Sequence, residues 1–436
     1  MGTLAAGAAS VEITPVDSQF LFGYPHVERY SAGVHDPLVS SALYLSDGRT
    51  AAMFVANDIV YVGKASAERV RRRIAEAVPV PAANIMVTAT HTHSGPITLD
   101  CLSCEADKVV PPADPKYVRR MEDGIVEAAL AAYRNAEPAA AGMAVADGTG
   151  VGTNRRDPSG PADREVPVLL VKSADGRRNI ACMLVCSMHP TVLHEDSKLV
   201  SADFPGAAKR YLRERVLGRD CVVVYHTGPE GNQSPRHVTR GNTFEEADRL
   251  GGILGRAIEK VVPAIECRSD LTIKCVRGFV ELPRRTFPAV ADAQAKLDRA
   301  VKRLAELRAR GADRADVRTA ECDWFGAEET LTFAHAGAEG RVAAAQSACM
   351  PSEVQVISVG PWRFAGWPGE MFIEYALDVK ARRPGTYVIA LANGELQGYI
   401  VTEEAAAEGG YEASNGLFTP ASGRLLVQKT LELTEG

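Results

Sequence analysis

Residues Asn84 to Pro96 read NIMVTATHTHSGP, a stretch that changes character halfway. The apolar run Ile85, Met86, Val87, Thr88 stops at His91, Thr92, His93 and Ser94, and Gly95-Pro96 then force a turn. This predicts a buried strand that delivers two imidazoles to the loop at its carboxyl end, where open α/β sheets place their ligand sites. Side chains of an extended segment alternate with period two, so His91 and His93 are expected to point the same way. Two neutral imidazoles on one side suit a metal ion; a histidine pair hydrogen-bonded at a strand end is the alternative.

The same layout recurs in later segments, and the chain before and after this stretch reads as alternating strands and helices. Ser41 to Asp58 reads as a hairpin turned at Asp47-Gly48, and Ala65 to Val78 as a helix stopped by Pro79 and Pro81. Further on, a helix over Tyr117 to Tyr133 and a strand over Ala141 to Val145 lead to the polar loop GTNRRDP, which holds Arg155 and Arg156. Glu165 to Lys172 and Asn179 to Met188 read as a buried hairpin turned at Asp175-Gly176, and its second run ends at His189-Pro190. The Val-rich run Cys221 to Tyr225 enters the irregular loop HTGPEGNQSPR, which carries Ser234. Val290 to Arg310 reads as a charged amphipathic helix with Leu297, Val301 and Leu304 on its packing side. In the last third, strands over Glu353 to Val359 and Arg363 to Trp367 lead to PGE, which puts Glu370 at the mouth of a helix running to about Lys380. Tyr387 to Leu391 then leads into ANGELQGYIVT with Tyr399, and Gly409-Gly410-Tyr411-Glu412 follows. The pattern predicts one large α/β domain over residues 1–436, with a mixed β-sheet, flanking helices and site loops at the carboxyl ends of strands.

Composition narrows the class. With 436 residues, 46% apolar and 24% charged, the chain can bury a sizeable core and is neither disordered nor fibrous. A formal charge of -6 argues against a nucleic-acid surface, and the short basic piece Arg71 to Arg73 reads as the solvated face of a helix. No basic n-region opens the chain and no run of about 18 apolar residues appears, so a cytoplasmic protein without membrane insertion is expected. Nine scattered cysteines do not form a disulfide pattern, and the lone Cys101/Cys104 pair lacks the second pair of a zinc knuckle.

His91, His93, His189 and Glu370, each just past an expected strand, offer enough nitrogen and oxygen donors for a zinc site with an open position. The motifs ATHTHSGP at Ala89 to Pro96, Asn154-Arg155, HPT at His189 to Thr191, SADFPG at Ser201 to Gly206, G-x-x-S-P at Gly231 to Pro235, PGE at Pro368 to Glu370, and the tyrosines of GYIVT and YEAS are then read together. They resemble the catalytic N-terminal domain of the neutral/alkaline non-lysosomal ceramidases, and a stand-alone domain without the sandwich-like C-terminal domain is expected. The resemblance implies a zinc-dependent amidohydrolase with Zn2+ on His91, His189, Glu370 and Tyr399, and with His93, Arg155, Ser234 and Tyr411 around a small-molecule substrate. A metal-activated water would attack an amide or ester, His93 would move the proton, and Tyr411 and Arg155 would stabilise an oxyanion or clamp a carboxylate. A zinc-dependent lyase or carbohydrate-active enzyme could use the same residues, and a non-catalytic zinc-binding protein would need only the ligands.

Overall fold

The computed structural model describes residues 3–435. Eight strands form one mixed sheet, in the order Val222–Thr227, Asn179–Cys186, Glu165–Ser173, Glu137–Asp147, Ala5–Glu12, Val39–Ser46, Ala51–Asn57 and Ile85–Ala89. The outermost pair at each edge is parallel, and the pairs between them are antiparallel. A second, four-stranded sheet runs Ile273–Val280, Ser352–Val359, Trp362–Gly366 and Thr386–Ile389.

Period-two alternation divides each strand between two cores. Ala42, Tyr44, Met53, Val55, Ile85 and Val87 face the helices Lys64–Ala77 and Pro115–Arg134, whereas Leu43, Leu45, Ala52, Phe54 and Met86 face inward. The helix Pro115–Arg134 begins where Asp114 accepts a hydrogen bond from Lys116 N and Pro115 fills the first turn, and it buries Met121, Ile125, Ala128 and Ala132 at helical spacing. On the other half of the large sheet, Asp203–Leu212 and Phe244–Val261 cover Val168, Leu170, Cys182 and Leu184.

The large sheet curls until its two edges meet. Thr227 Oγ1 donates to Thr90 O at 2.8 Å, and Thr88 Oγ1 shares a 2.8 Å hydrogen bond with His226 Nδ1. The inner core gathers Phe54, Met86, Met183 and Val224 from this sheet with Ile357, Phe364 and Ile389 from the small one. The curl brings the ends of Ile85–Ala89, Asn179–Cys186 and Val222–Thr227 to one place. The mixed α/β architecture with site loops after strands is as the sequence pattern predicts; the separate four-stranded sheet is an addition to it.

Three details depart from the expectation. Arg71 is not on a solvated face: it is buried, donates through Nη1 and Nη2 to both carboxylate oxygens of Glu353 at 2.9 and 3.0 Å, and through Nε to Ala82 O. Val301 lies on the solvent side, 47% exposed, while Leu304 and Leu307 pack on Ala320. Finally, the stretch after Arg310 holds two helices, Arg314–Ala338 and Arg341–Cys349, that the apolar pattern does not announce. The longer one buries mostly small residues, among them Ala320, Gly326, Ala327, Ala334 and Ala336, so its packing face carries little apolar contrast.

Asp203, the first residue of its helix, has φ 57° and accepts backbone N–H bonds from Val192 at 3.1 Å, Leu193 at 2.9 Å and Phe204 at 2.5 Å. It thereby fastens the loop that follows His189-Pro190. Burial pushes its carboxyl up to about 6 in spite of those donors. Between the unfolded value near 4 and about 6 the native state holds a proton that the unfolded chain has released, so this group makes stability fall as pH rises through that window. Urea unfolding of wild type and Asp203→Asn should show a stability difference that declines by roughly 3 kcal/mol from about pH 4 to 6 and is flat above; a pH-independent difference refutes the assignment.

The Arg71 pair gives a second test. Glu353→Ala leaves a buried guanidinium without its carboxylate and should cost about 3–5 kcal/mol, whereas replacing both partners by apolar residues of similar size should cost much less.

Candidate metal centre

His91 does not lie in an extended segment. The strand ends at Ala89, and His91 sits in the left-handed region with φ 69°, a conformation uncommon outside glycine. The two imidazoles nevertheless converge, with Nε2 of His91 and Nε2 of His93 at 3.2 Å. The loop kink, not period-two alternation, brings them together.

Each imidazole is turned by a backbone carbonyl. His91 Nδ1 faces Val60 O at 3.0 Å, His93 Nδ1 faces Gly23 O at 3.1 Å, and His189 Nδ1 faces Glu230 O at 2.7 Å and Gln233 O at 3.1 Å. A carbonyl can only accept, so in the neutral rings Nδ1 carries the proton and Nε2 keeps its lone pair. Gly23 is required for this approach: its φ is +117° and a Cβ there would come within 2.3 Å of His93 Nδ1.

Glu370 completes the cluster. Its Oε2 lies 3.1 Å from His189 Nε2 and 3.4 Å from His91 Nε2, and its Oε1 accepts a 2.8 Å hydrogen bond from Tyr61 Oη. Glu370 is not at a helix mouth; it pairs with Tyr399 in a two-residue parallel bridge, and the helix Ile373–Arg382 begins after it. Burial alone would raise this carboxyl, but His91 and His189 hold it well below the usual carboxylate range. Burial, reinforced by His91 and His189, pushes His93 well below the ordinary histidine value, and burial with Arg155 brings His189 to about 4. Three Nε2 atoms and a carboxylate face one another, and with the rings in their Nδ1–H form this donor set matches Zn2+ or a similar divalent ion, each Nδ1 being fixed by a carbonyl as metal-bound histidines usually are.

Arg155 closes one side. Its Nε donates to Glu412 Oε1 at 2.7 Å, Nη1 lies 3.4 Å from His189 Nε2, and Nη2 is buried without a partner among the described residues. The guanidinium lies over the Tyr399 ring at 5.1 Å. Glu412, also bound by Arg156, is held below the usual carboxylate range by those two arginines against its burial. Burial keeps Tyr399 and Tyr411 neutral, and Asn415 Nδ2 donates to Tyr411 Oη at 3.3 Å, which leaves the phenolic hydrogen free. His93, Glu370, Tyr399 and Tyr411 line a cavity of about 800 Å3, open solvent at its mouth included, whose walls also hold Phe22, Tyr24 and Phe325.

Ser234 stands apart from these donors in its observed bonding. It pairs with Thr153 in a short bridge, and its Oγ accepts from Arg236 N at 3.2 Å, capping the turn Pro235–His237. Sequence reasoning missed Tyr61, Glu412 and Glu230. Glu412 adjoins Tyr411 and could have been flagged by position, whereas Tyr61, after the turn that follows Ala51–Asn57, carries no such signal. Glu230 lies in the same loop as Ser234 and is fully buried, with both carboxylate oxygens unpartnered among the described residues. One donor atom each from His91, Glu230 and Glu370 falls within a 4.8 Å group, as does one each from His91, His93 and His189. Burial, with Glu370 close by, holds Glu230 well above the carboxylate range.

The fold has known counterparts. The structure of neutral ceramidase from Pseudomonas aeruginosa superimposes with a TM-score of 0.76 at 18% identity, covering 99% of this chain and 74% of that one. A ceramidase complexed with C2 matches with the same TM-score, 0.76, at 17% identity over 99% of this chain and 75% of that chain. Neutral ceramidase of Mycobacterium tuberculosis is 25% identical over 240 residues, which is 51% of this chain but only 37% of that relative. The sequence model described as neutral/alkaline non-lysosomal ceramidase, N-terminal, matches residues 4–236, more than half of the chain. The chain therefore belongs to the neutral/alkaline non-lysosomal ceramidase family.

Proposed function

We propose that this protein is a zinc-dependent hydrolase that cleaves the amide bond of a compact N-acyl substrate. One observation carries the reading: three imidazoles, each turned by a carbonyl, direct Nε2 lone pairs and the Glu370 carboxylate together beside a cavity. Family membership supports the bond class; Tyr399 as a fourth ligand with His91, His189 and Glu370 is what the motif resemblance implies, and its backbone pairing opposite Glu370 is consistent with it. A zinc ion held there supplies Lewis acidity, making water a nucleophile at neutral pH and polarising the scissile carbonyl.

The remaining steps belong to the side chains. His93, neutral because of its burial, accepts the proton of the attacking water at Nε2 and returns it to the nitrogen of the departing amine. Tyr411 donates its free hydroxyl hydrogen to the oxygen that gains charge as the carbonyl becomes tetrahedral. Arg155, braced by Glu412, offers Nη2 to the same oxygen or to the carboxylate product. Ser234 serves by fixing the turn beside Gln233, whose carbonyl orients His189.

The cavity walls speak to substrate size. Asp107, Glu328 and Glu329 line it along with the aromatic rings, so long alkyl chains leaving the site would cross carboxyl groups. Among the described residues no helix is long and apolar enough to cross a membrane. Short, polar N-acyl compounds are therefore expected to be turned over faster than long-chain ceramide. An acyl-length series assayed on the purified protein checks this, and a ceramide hydrolysed faster than every short amide overturns it.

Metal and chemistry are tested on the same preparation. The protein should hold about one zinc per chain, and His189→Ala should lose it. Hydrolysis in 18O-water should place one labelled oxygen in the acid product, which a lyase would not do. Tyr399→Phe should weaken metal binding, whereas Tyr411→Phe should keep its zinc and lose roughly 100- to 1000-fold in turnover. Equal zinc loss in both variants, or unchanged turnover in Tyr411→Phe, refutes these roles.

A further inference from the structure

We infer that Glu230 is an additional carboxylate ligand of the metal held by His91, His189 and Glu370. The inference rests on the metal-dependent reading above and adds to it a residue that the family motifs do not contribute.

Several observations converge on Glu230. Its side chain is 0% exposed, yet neither carboxylate oxygen has a hydrogen-bonding partner among the described residues. An unpaired carboxyl group of this kind is costly to bury, and coordination of a cation is one of the few ways to compensate it. It is aimed at the centre, because one of its oxygens shares a 4.8 Å group with donor atoms of His91 and Glu370. Ligand atoms lie about 2.0–2.2 Å from a zinc ion, so two of them can be separated by at most about 4.4 Å, and a small side-chain contraction brings this group within that limit.

The backbone around Glu230 is committed to this position as well. Its own carbonyl accepts the His189 Nδ1 hydrogen bond at 2.7 Å, so one residue would orient one ligand and supply another. Gly231 presses the loop onto the strand that bears Glu370. Gly231 N donates to Met371 O at 2.8 Å, and a Cβ at Gly231 would come within 2.8 Å of Met371 O and 3.1 Å of Glu370 O. Asn232 Oδ1 accepts from Ile373 N at 3.0 Å and locks the register of the same two segments. Charge points the same way: with Glu370, an ionised Glu230 would supply the second negative charge that balances a divalent cation.

The test uses the full chain, stripped of metal and titrated with Zn2+ alone against a chromophoric chelator. Glu230→Gln and Glu230→Met should each raise the zinc dissociation constant at least tenfold and shrink the zinc-induced rise in melting temperature. Their metal-free forms should melt no lower than metal-free wild type, since a purely structural carboxylate would instead lower both. Glu395→Gln, which alters a buried carboxylate outside the donor group, should stay within about threefold of wild type. Unchanged zinc affinity in both Glu230 variants overturns the inference, and so does an equal loss of stability with and without zinc. Failure of the underlying reading is distinguishable: wild type would then take up no zinc, or His189→Ala would keep a full equivalent.

Discussion

The convergence of three imidazoles on one buried carboxylate organises this protein. The Nε2 atoms of His91, His93 and His189 and the Glu370 carboxylate face one another in a buried space, an arrangement that suits a cation. Everything near the site is built to hold that arrangement against its tendency to relax. Val60, Gly23, Glu230 and Gln233 supply carbonyls that pin the far side of each ring, and Tyr61 pins the far oxygen of Glu370. A ring freed from its carbonyl could flip, donate to Glu370 and remove a ligand.

Those carbonyls come from loops far apart in sequence, so the site depends on how the large sheet is bent. Because its edges meet through Thr227 and Thr90, the ends of three strands share one rim instead of lying across the width of an open sheet. The small sheet then fills the inner face, and the bridge between Glu370 and Tyr399 brings these two residues to the same rim. Breaking the curl would separate His91 from His189 without touching either residue.

The helix Arg314–Ala338 forms a wall of the cavity through Phe325, Glu328 and Glu329. His26 stacks on Trp324 at 4.7 Å and pairs with Glu328 at 2.6 Å, tying this helix to the loop that carries Gly23 and Tyr24. Glu328 raises the His26 value by accepting its hydrogen bond, against the effect of partial burial. The wall and the His93 anchor are thus parts of one connected unit, which couples the shape of the cavity to the orientation of the imidazole beside it.

Much of this was written locally. Apolar runs ended by His91 and His189, helical spacing over Pro115–Arg134, and the turns at Asp47-Gly48 and Asp175-Gly176 follow from backbone preferences and period, which act over a few residues. The motif set around His91, His189, Glu370, Tyr399 and Tyr411 likewise named the family from sequence alone. What only the tertiary structure decided are the relations between distant segments. The left-handed turn at His91, the buried pairing of Arg71 with Glu353, the presence of Tyr61 and Glu230 beside Glu370, and the helix Arg314–Ala338 carry no local signature. Their cause is the closing of the large sheet and the packing of small residues. A chain can encode both, but neither appears as a pattern within a short window, because burial and charge at these positions depend on partners dozens to hundreds of residues away.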